Sequence, residues 1–393
     1  MPTTSSVYPP ILLHAFRICF LLAAIWAAAA VPLWLLSYSG IISLSSAYGD
    51  VNWHAHELIF GYAALVVCGF LFTAIPNWTG RLPVSGWPLA ALVFLWLAGR
   101  IAIATASVIG LAAAAGVDLL FLAAVLTVAA REIIAGKNWR NLRVLVLVLW
   151  LLLANVLFHA LVLTAHATDL SLRGSVGALV ALITLVGGRL VPSFTRNWLV
   201  KRDATRLPAP FGPLDAIAIG AGVAGLFAWI AAPTGNLTAI LAALAAILLA
   251  WRLFRWRGWA TWPEPLLAVL HVGYAFLPLG FALLAVNAIR PDLVPGNVVT
   301  HAWTAGAIGV MTLAVMTRAS LGHTGHALTA TRGTILIYVA IVSAAALRII
   351  APFCAAWSLP LLDISGTAWS LGFLIFVLTY APILTSQRRG KTH

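Results

Sequence analysis

The sequence predicts an all-α polytopic membrane protein of about twelve transmembrane helices, possessing one domain over residues 1–393, and three observations carry that reading. Hydrophobic residues make up 62% of the chain and charged residues 8%, so no soluble fold could cover the core with polar surface. The apolar residues fall into stretches long enough to cross hydrocarbon, joined by short connections. The Lys and Arg residues behind the net charge of +13 collect in alternate connections, as the positive-inside rule requires.

The first span, 11–36, lacks a small-residue cleavage site and is read as a retained helix. The second, 55–76, opens on Trp53-His54-Ala55-His56-Glu57, and ionisable groups within a span are usually functional. The third, 88–107, carries Arg100, and the fourth, 110–130, carries Asp118 near an end where it is expected to reach water. The fifth, 144–165, places Asn155 and His159 on one face, with His166 above them. The sixth, 174–192, carries Arg189. The ninth, 265–288, sets His271 and Tyr274 one turn apart. The tenth, 298–316, begins near His301, which precedes the small residues Ala305, Gly306, Ala307 and Gly309; these leave room for close helix approach or a flat macrocycle. The spans 213–232, 237–252, 333–351 and 367–385 rest on apolar length alone.

The basic residues fix an orientation with both termini cytoplasmic. That side carries Arg81, Arg131, Lys137, Arg140, Arg143, Arg252, Arg255, Arg257, Arg388, Arg389 and Lys391 among others, and the opposite side only Arg173 and Arg290. The charge is therefore an orientation signal and no nucleic-acid footprint. Cys19, Cys68 and Cys354 have no metal or disulfide spacing and read as small core residues. Trp53, Trp78, Trp87, Trp139, Trp198, Trp259, Trp262 and Trp303 read as an interfacial belt.

An internal repeat is visible where spans end. Thr73-Ala74-Ile75-Pro76-Asn77-Trp78-Thr79 and Arg189-Leu190-Val191-Pro192-Ser193-Phe194-Thr195 share a pattern about their prolines, and Ala314-Val315-Met316-Thr317-Arg318-Ala319 matches more loosely. Spans two, six and ten would then be equivalent members of three four-helix units.

Imidazole is a common metal and haem ligand. In this topology His54, His56, His159 and His301 share the outer third of the membrane, while His14, His271, His323 and His326 lie towards the inside. Adjacent-but-one helical residues are about 200° apart, so His54 and His56 cannot face one ligand together. Glu57, three residues from His54, is placed to accept a ring N–H from it. His14, His166, His326 and His393 are read as interhelical hydrogen-bonding residues. Arg189 and Arg100 are expected to bind haem propionates or to close a buried ion pair.

The chain resembles the NnrS family. The resemblance runs through His54-Ala55-His56-Glu57-Leu58-Ile59-Phe60-Gly61, Gly188-Arg189-Leu190-Val191-Pro192-Ser193-Phe194-Thr195, His271-Val272-Gly273-Tyr274 and His301-Ala302-Trp303-Thr304-Ala305-Gly306. It implies a multi-pass bacterial inner-membrane protein containing haem b and copper, linked to nitric oxide metabolism and protection from nitrosative stress. The family's histidine positions match at His54, His56, His271, His301 and His323, with His159 beside them. A weaker, architectural similarity is to haem–copper oxidase main subunits, whose second and tenth helices ligate haem near the outer face, mapping onto His54 or His56 and His301. Spans six and seven hold no histidine, so that family's copper triad is missing and an oxygen-reducing binuclear centre is not expected.

Two functions follow. In the first, a haem and copper protein acts on or senses nitric oxide. His56 and His301 are the first candidates for haem, His54 or His159 supply copper imidazoles, and His271 and His323 hold a second cofactor or serve structure. Electrons would come from a quinol or a partner protein. In the second, a twelve-span transporter uses its intramembrane histidines and acids as a substrate or proton path. The clustering of histidines away from the midplane, where carrier sites lie, weighs against it.

Overall fold

The computed structural model describes residues 8–44 and 47–388, and among them twelve helices are long and apolar enough to cross a membrane. They are α1 (Ala15–Tyr38), α2 (Asp50–Thr79), α3 (Trp87–Ala104), α4 (Leu111–Ala135), α5 (Trp139–Leu163), α6 (Asp169–Val200), α7 (Pro213–Ala231), α8 (Asn236–Phe254), α9 (Pro265–Asn287), α10 (Gly296–Thr324), α11 (Arg332–Phe353) and α12 (Ala355–Thr385). The described residues contain no strand. His393, Arg389 and Lys391 lie outside the described residues.

Local chemistry sets the ends. α2 starts after Gly49, at φ 74°, and stops at Gly80, at φ 69°, a left-handed position that costs glycine little. Proline occupies the first turn of α3, α7 and α9, where its missing N–H is no loss, and the Glu264 carboxylate accepts the Leu266 N–H at the start of α9. Because α2 begins at Asp50 rather than near 55, His54 and His56 sit within the helix and not at its mouth.

The three spans paired by the repeat share two properties. In α2, α6 and α10 the buried share of the apolar window is 72, 72 and 67%, against at most 56% in any other span. Each also contains a π-helical stretch, at Glu57–Ala63, Ile183–Gly187 and Ala302–Val310. A wide turn disturbs the backbone ladder, and in hydrocarbon a displaced carbonyl needs a partner. Trp96 Nε1 donates to Gly61 O in α2 at 2.8 Å. Arg252 donates to Thr184 O and Gly188 O in α6, both at 3.2 Å. The Thr312 hydroxyl donates to Ile308 O and Gly309 O in α10, at 2.7 and 2.9 Å.

The helices group into two compact units. The first holds α1–α5 with residues 316–328 and 373–393; the second holds residues 173–315 and 329–372. In the first, α1 packs on α2 and α4 packs on both α3 and α5. In the second, α8 packs between α7 and α9, and α10 packs on α9 and α11.

Two expectations change and a third holds. Trp53 and Trp303 are 3 and 0% exposed, so they belong to the core and not to a belt. The Trp303 indole donates to Leu277 O and fits only because residue 280 is glycine, where a Cβ would lie 2.2 Å from Nε1. Arg252, read as a loop cation, is buried on α8 and paired with Asp215 at 3.0 Å. Cys19 and Cys68 are fully buried, as expected of core residues, with their sulfurs 4.0 Å apart across α1 and α2.

That crossing depends on Gly69, where a Cβ would lie 2.8 Å from Cys19 Cβ and 2.9 Å from the Phe20 ring. Gly69→Ala is expected to lower thermal stability in detergent by about 1–3 kcal/mol, the cost of overpacking. Gly222→Ala, whose new methyl would meet nothing closer than 3.6 Å, is expected to be neutral or to gain up to about 1 kcal/mol of helix propensity. Equal melting temperatures for the two variants would contradict the packing.

Candidate metal centre

Five elements of the first unit bring seven polar side chains together. α2 supplies His56 and Glu57, α3 Arg100, α4 Asp118, α5 Asn155 and His159, and the connection before α2 supplies Tyr48. His56 and Glu57 are 0% exposed, Asn155 1%, His159 2% and Asp118 3%. The wide turn of α2 starts at Glu57, where His56 and Glu57 both turn inward. His56 is six residues from Asp50, so the cluster lies about 9 Å along the helix at 1.5 Å per residue.

Asp118 is the hub. Its Oδ2 receives Asn155 Nδ2 at 2.8 Å, His159 Nε2 at 3.1 Å and His56 Nε2 at 3.2 Å, and its Oδ1 is paired with Arg100 Nη2. Arg100 Nη1 donates to Glu57 Oε1 at 2.7 Å, and the same oxygen lies 3.2 Å from His56 Nδ1. Tyr48 Oη is 3.0 Å from His159 Nδ1. Burial first, then the negative charge of Asp118 and Glu57, pushes the Tyr48 phenol above its usual range, so it stays a neutral hydroxyl.

This geometry revises two readings and selects between the two expected roles of Arg100. Asp118 does not reach water. Arg100 takes the buried ion pair. Glu57 contacts the neighbouring His56, while the His54 ring stacks on Trp34 with centroids 4.0 Å apart. Tyr48 was invisible to sequence reading, because it lies in a connection and follows no motif.

Charge and hydrogen bonding together define what the cluster can hold. Two carboxylates against one guanidinium leave one negative charge, which a buried site must balance. Both ring nitrogens of His56 face carboxylate oxygens, so each must carry a proton or a cation. An imidazolium at His56 makes the cluster neutral. A singly charged metal ion on the two Nε2 atoms does so too, with both imidazoles neutral. Glu57 then keeps His56 Nδ1–H, the Tyr48 oxygen accepts His159 Nδ1–H, and both Nε2 lone pairs converge with Asp118 Oδ2. Outer partners of this kind orient metal-ligating histidines. Glu57 Oε2 and Asn155 Oδ1, both acceptors, and Arg100 Nε, a donor, find no hydrogen-bond partner among the described residues. Among the described residues, His56, Asp118 and His159 form the one group of three or more such side chains whose ligating atoms converge, all within 4.8 Å of one another. The donor set therefore fits a metal ion.

The other predicted site residues lie elsewhere. In the second unit, His301 donates Nδ1–H to Asn297 O at 2.6 Å, which leaves the lone pair on Nε2, the tautomer of a haem-ligating imidazole. His271 meets Thr195 Oγ1 through Nε2 at 2.8 Å, and its Nδ1 abuts Gly258, where a Cβ would lie 2.7 Å away. Nδ1 is buried and makes no hydrogen bond among the described residues. Arg189 is half-buried on α6, directly after the wide turn. His323 is exposed, its ring 5.4 Å from that of Phe16. His166 is exposed beyond the end of α5, near the Thr164 hydroxyl.

The fold and this cluster define a polytopic membrane protein with a candidate metal centre buried among its helices. The sequence matches the family of NnrS proteins over residues 10–388, nearly its whole length, and the chain belongs to that family. A comparison with curated proteins returned no match.

The buried pairing carries a stability prediction. Arg100→Gln leaves the buried cluster with one uncompensated negative charge and is expected to cost roughly 3–5 kcal/mol in thermal or denaturant unfolding. Arg290→Gln, which removes the exposed pair with Asp292, is expected to leave the melting temperature unchanged. Equal effects would show that burial of the Arg100 pair is unimportant.

Proposed function

We propose that the protein is a haem- and copper-binding protein of the bacterial inner membrane that acts in nitric oxide metabolism or protection from nitrosative stress. Family membership supports the setting, and one observation carries the metal assignment: two imidazole Nε2 atoms and a carboxylate oxygen converge in a dry site that lacks one positive charge. His56, His159 and Asp118 are assigned to copper, because a monovalent ion exchanged for the His56 proton preserves neutrality, and imidazole suits copper. His301 is assigned to haem b, because its Nδ1 is already tied to a carbonyl. His56 is withdrawn from the haem pair, since both its nitrogens are engaged by carboxylates.

A bound copper or haem iron supplies one-electron chemistry and an open coordination position for a small ligand. The chain's own residues do the rest. Glu57 and Tyr48 hold the two imidazole rings in orientation, Arg100 pairs with both Asp118 and Glu57, and the surrounding Phe60 and Phe158 rings exclude water. In this reading the termini are cytoplasmic and the His56 end of α2 is periplasmic, which the excess of Lys and Arg in alternate connections supports. Reducing equivalents come from a quinol or a protein donor in this reading.

The test is a dithionite-reduced minus air-oxidised spectrum, with iron and copper quantified on the same purified sample. Wild type is expected to show a b-type α band and stoichiometric copper. His159→Ala and His56→Ala are expected to lose at least nine-tenths of the copper while keeping the Soret band, and His301→Ala the reverse. Copper retained in both His56 and His159 variants, from protein of unaltered elution and melting, would overturn the site. A flat, metal-free wild type from a haem- and copper-replete host would overturn the whole reading and favour transport.

A further inference from the structure

A second polar feature of the first unit lies away from the metal centre, at the other end of α2. An open cleft of about 490 Å³ is lined by residues 80–85 of the connection between α2 and α3, by Pro88, and by Arg131 and Glu132 on α4. The Glu132 side chain is 7% exposed, whereas those of Arg81 and Arg131 are 44 and 66% exposed. Glu132 Oε2 accepts Arg81 Nε at 2.6 Å; Oε1 accepts Arg131 Nε at 3.0 Å and Nη2 at 2.8 Å.

One buried carboxylate thus holds Arg131 by one edge of its guanidinium and Arg81 by its Nε. Both carboxylate oxygens are engaged by arginine N–H groups. The Arg81 Nη groups and Arg131 Nη1 make no hydrogen bond to Glu132. Two cations and one anion leave a local charge of +1. Planar guanidinium forks are suited to bidentate recognition of phosphate oxygens. A phosphodiester carries one negative charge and would bring the group to neutrality, whereas an ammonium group would add to its positive charge.

The cleft also sits where headgroups sit. It is level with the C-terminal end of α2 and the N-terminal end of α3, next to Trp87, which is 74% exposed, and Leu82, which is 89% exposed. Exposed aromatic and aliphatic side chains beside paired arginines mark the boundary between headgroups and acyl chains. Basic pockets between transmembrane helices bind anionic lipid headgroups.

We propose that Arg81 and Arg131, held by Glu132, form a binding site for the phosphodiester of an anionic phospholipid. The proposal does not depend on the metal assignment.

The experiment uses the full chain in detergent, delipidated and then exchanged into nanodiscs of phosphatidylglycerol or phosphatidylcholine, with retained lipid counted by native mass spectrometry after re-extraction. Wild type is expected to retain phosphatidylglycerol at least tenfold over phosphatidylcholine. Arg81→Gln/Arg131→Gln is expected to lose that preference, and an excess of inorganic phosphate to displace little lipid. Arg131→Gln alone removes a largely exposed group, so it is expected to fold normally and to show an intermediate loss. Equal retention of the two lipids by wild type, or an unchanged preference in both variants, would overturn the site. Full displacement by inorganic phosphate would overturn the lipid as its ligand and point to free phosphate.

Discussion

A guanidinium and two carboxylates buried together within membrane-spanning helices constrain everything around them. Arg100 cannot lose its charge, and neither Glu57 nor Asp118 reaches water. Each could survive burial only with partners on every side, so α2, α3, α4 and α5 must meet at one level. The packing follows from that demand. Gly61 is part of it, since a Cβ there would lie within 2.9 Å of Trp26 Nε1, Arg100 Nη1 and Glu57 Oε2. The arginine thus passes against bare backbone. What the pairing leaves over, one negative charge facing two imidazoles, is the source of the site's chemistry.

The wide turns of α2, α6 and α10 extend the same logic along the chain. A π-helical stretch turns extra side chains inward at the expense of regular hydrogen bonding. Each of the three is compensated by a side chain suited to its surroundings: an indole, a guanidinium and a hydroxyl. In α6 the compensating group, Arg252, is itself neutralised by Asp215 and bonded to the Tyr274 hydroxyl at 2.7 Å. The second unit therefore also surrounds one of its wide turns, that of α6, with a buried ion pair, but without the converging metal-ligating set of the first. A shared architecture with different polar contents is what a repeat would produce if one copy had kept a ligand set and another a purely structural network.

Much of this was legible in the sequence. Apolar length located all twelve helices, and the repeat, proline-centred in spans two and six and looser in span ten, singled out the three most buried. The pair His54 and His56 was correctly separated by helical geometry, and Asn155 and His159 were placed on one face. The limits were equally physical. Asp118 looked peripheral because position along a helix gives depth but not orientation, and only packing decides whether a carboxylate faces water or an arginine. Glu57 was paired with the wrong histidine because the wide turn cannot be read from a regular 3.6-residue period. Tyr48 enters through a loop that carries no periodicity at all. Arg252 counted as a loop cation because it lies near a helix end, although its long side chain reaches back into the core.

The central claim is that His56, His159 and Asp118 ligate one metal ion through two Nε2 atoms and a carboxylate oxygen. X-ray absorption at the copper edge of the purified protein tests this most directly. The account predicts nitrogen and oxygen scatterers at about 2 Å, with the outer-shell scattering of two imidazole rings falling to one in His159→Ala. A sulfur-dominated first shell, or an imidazole count unchanged by that substitution, would contradict it.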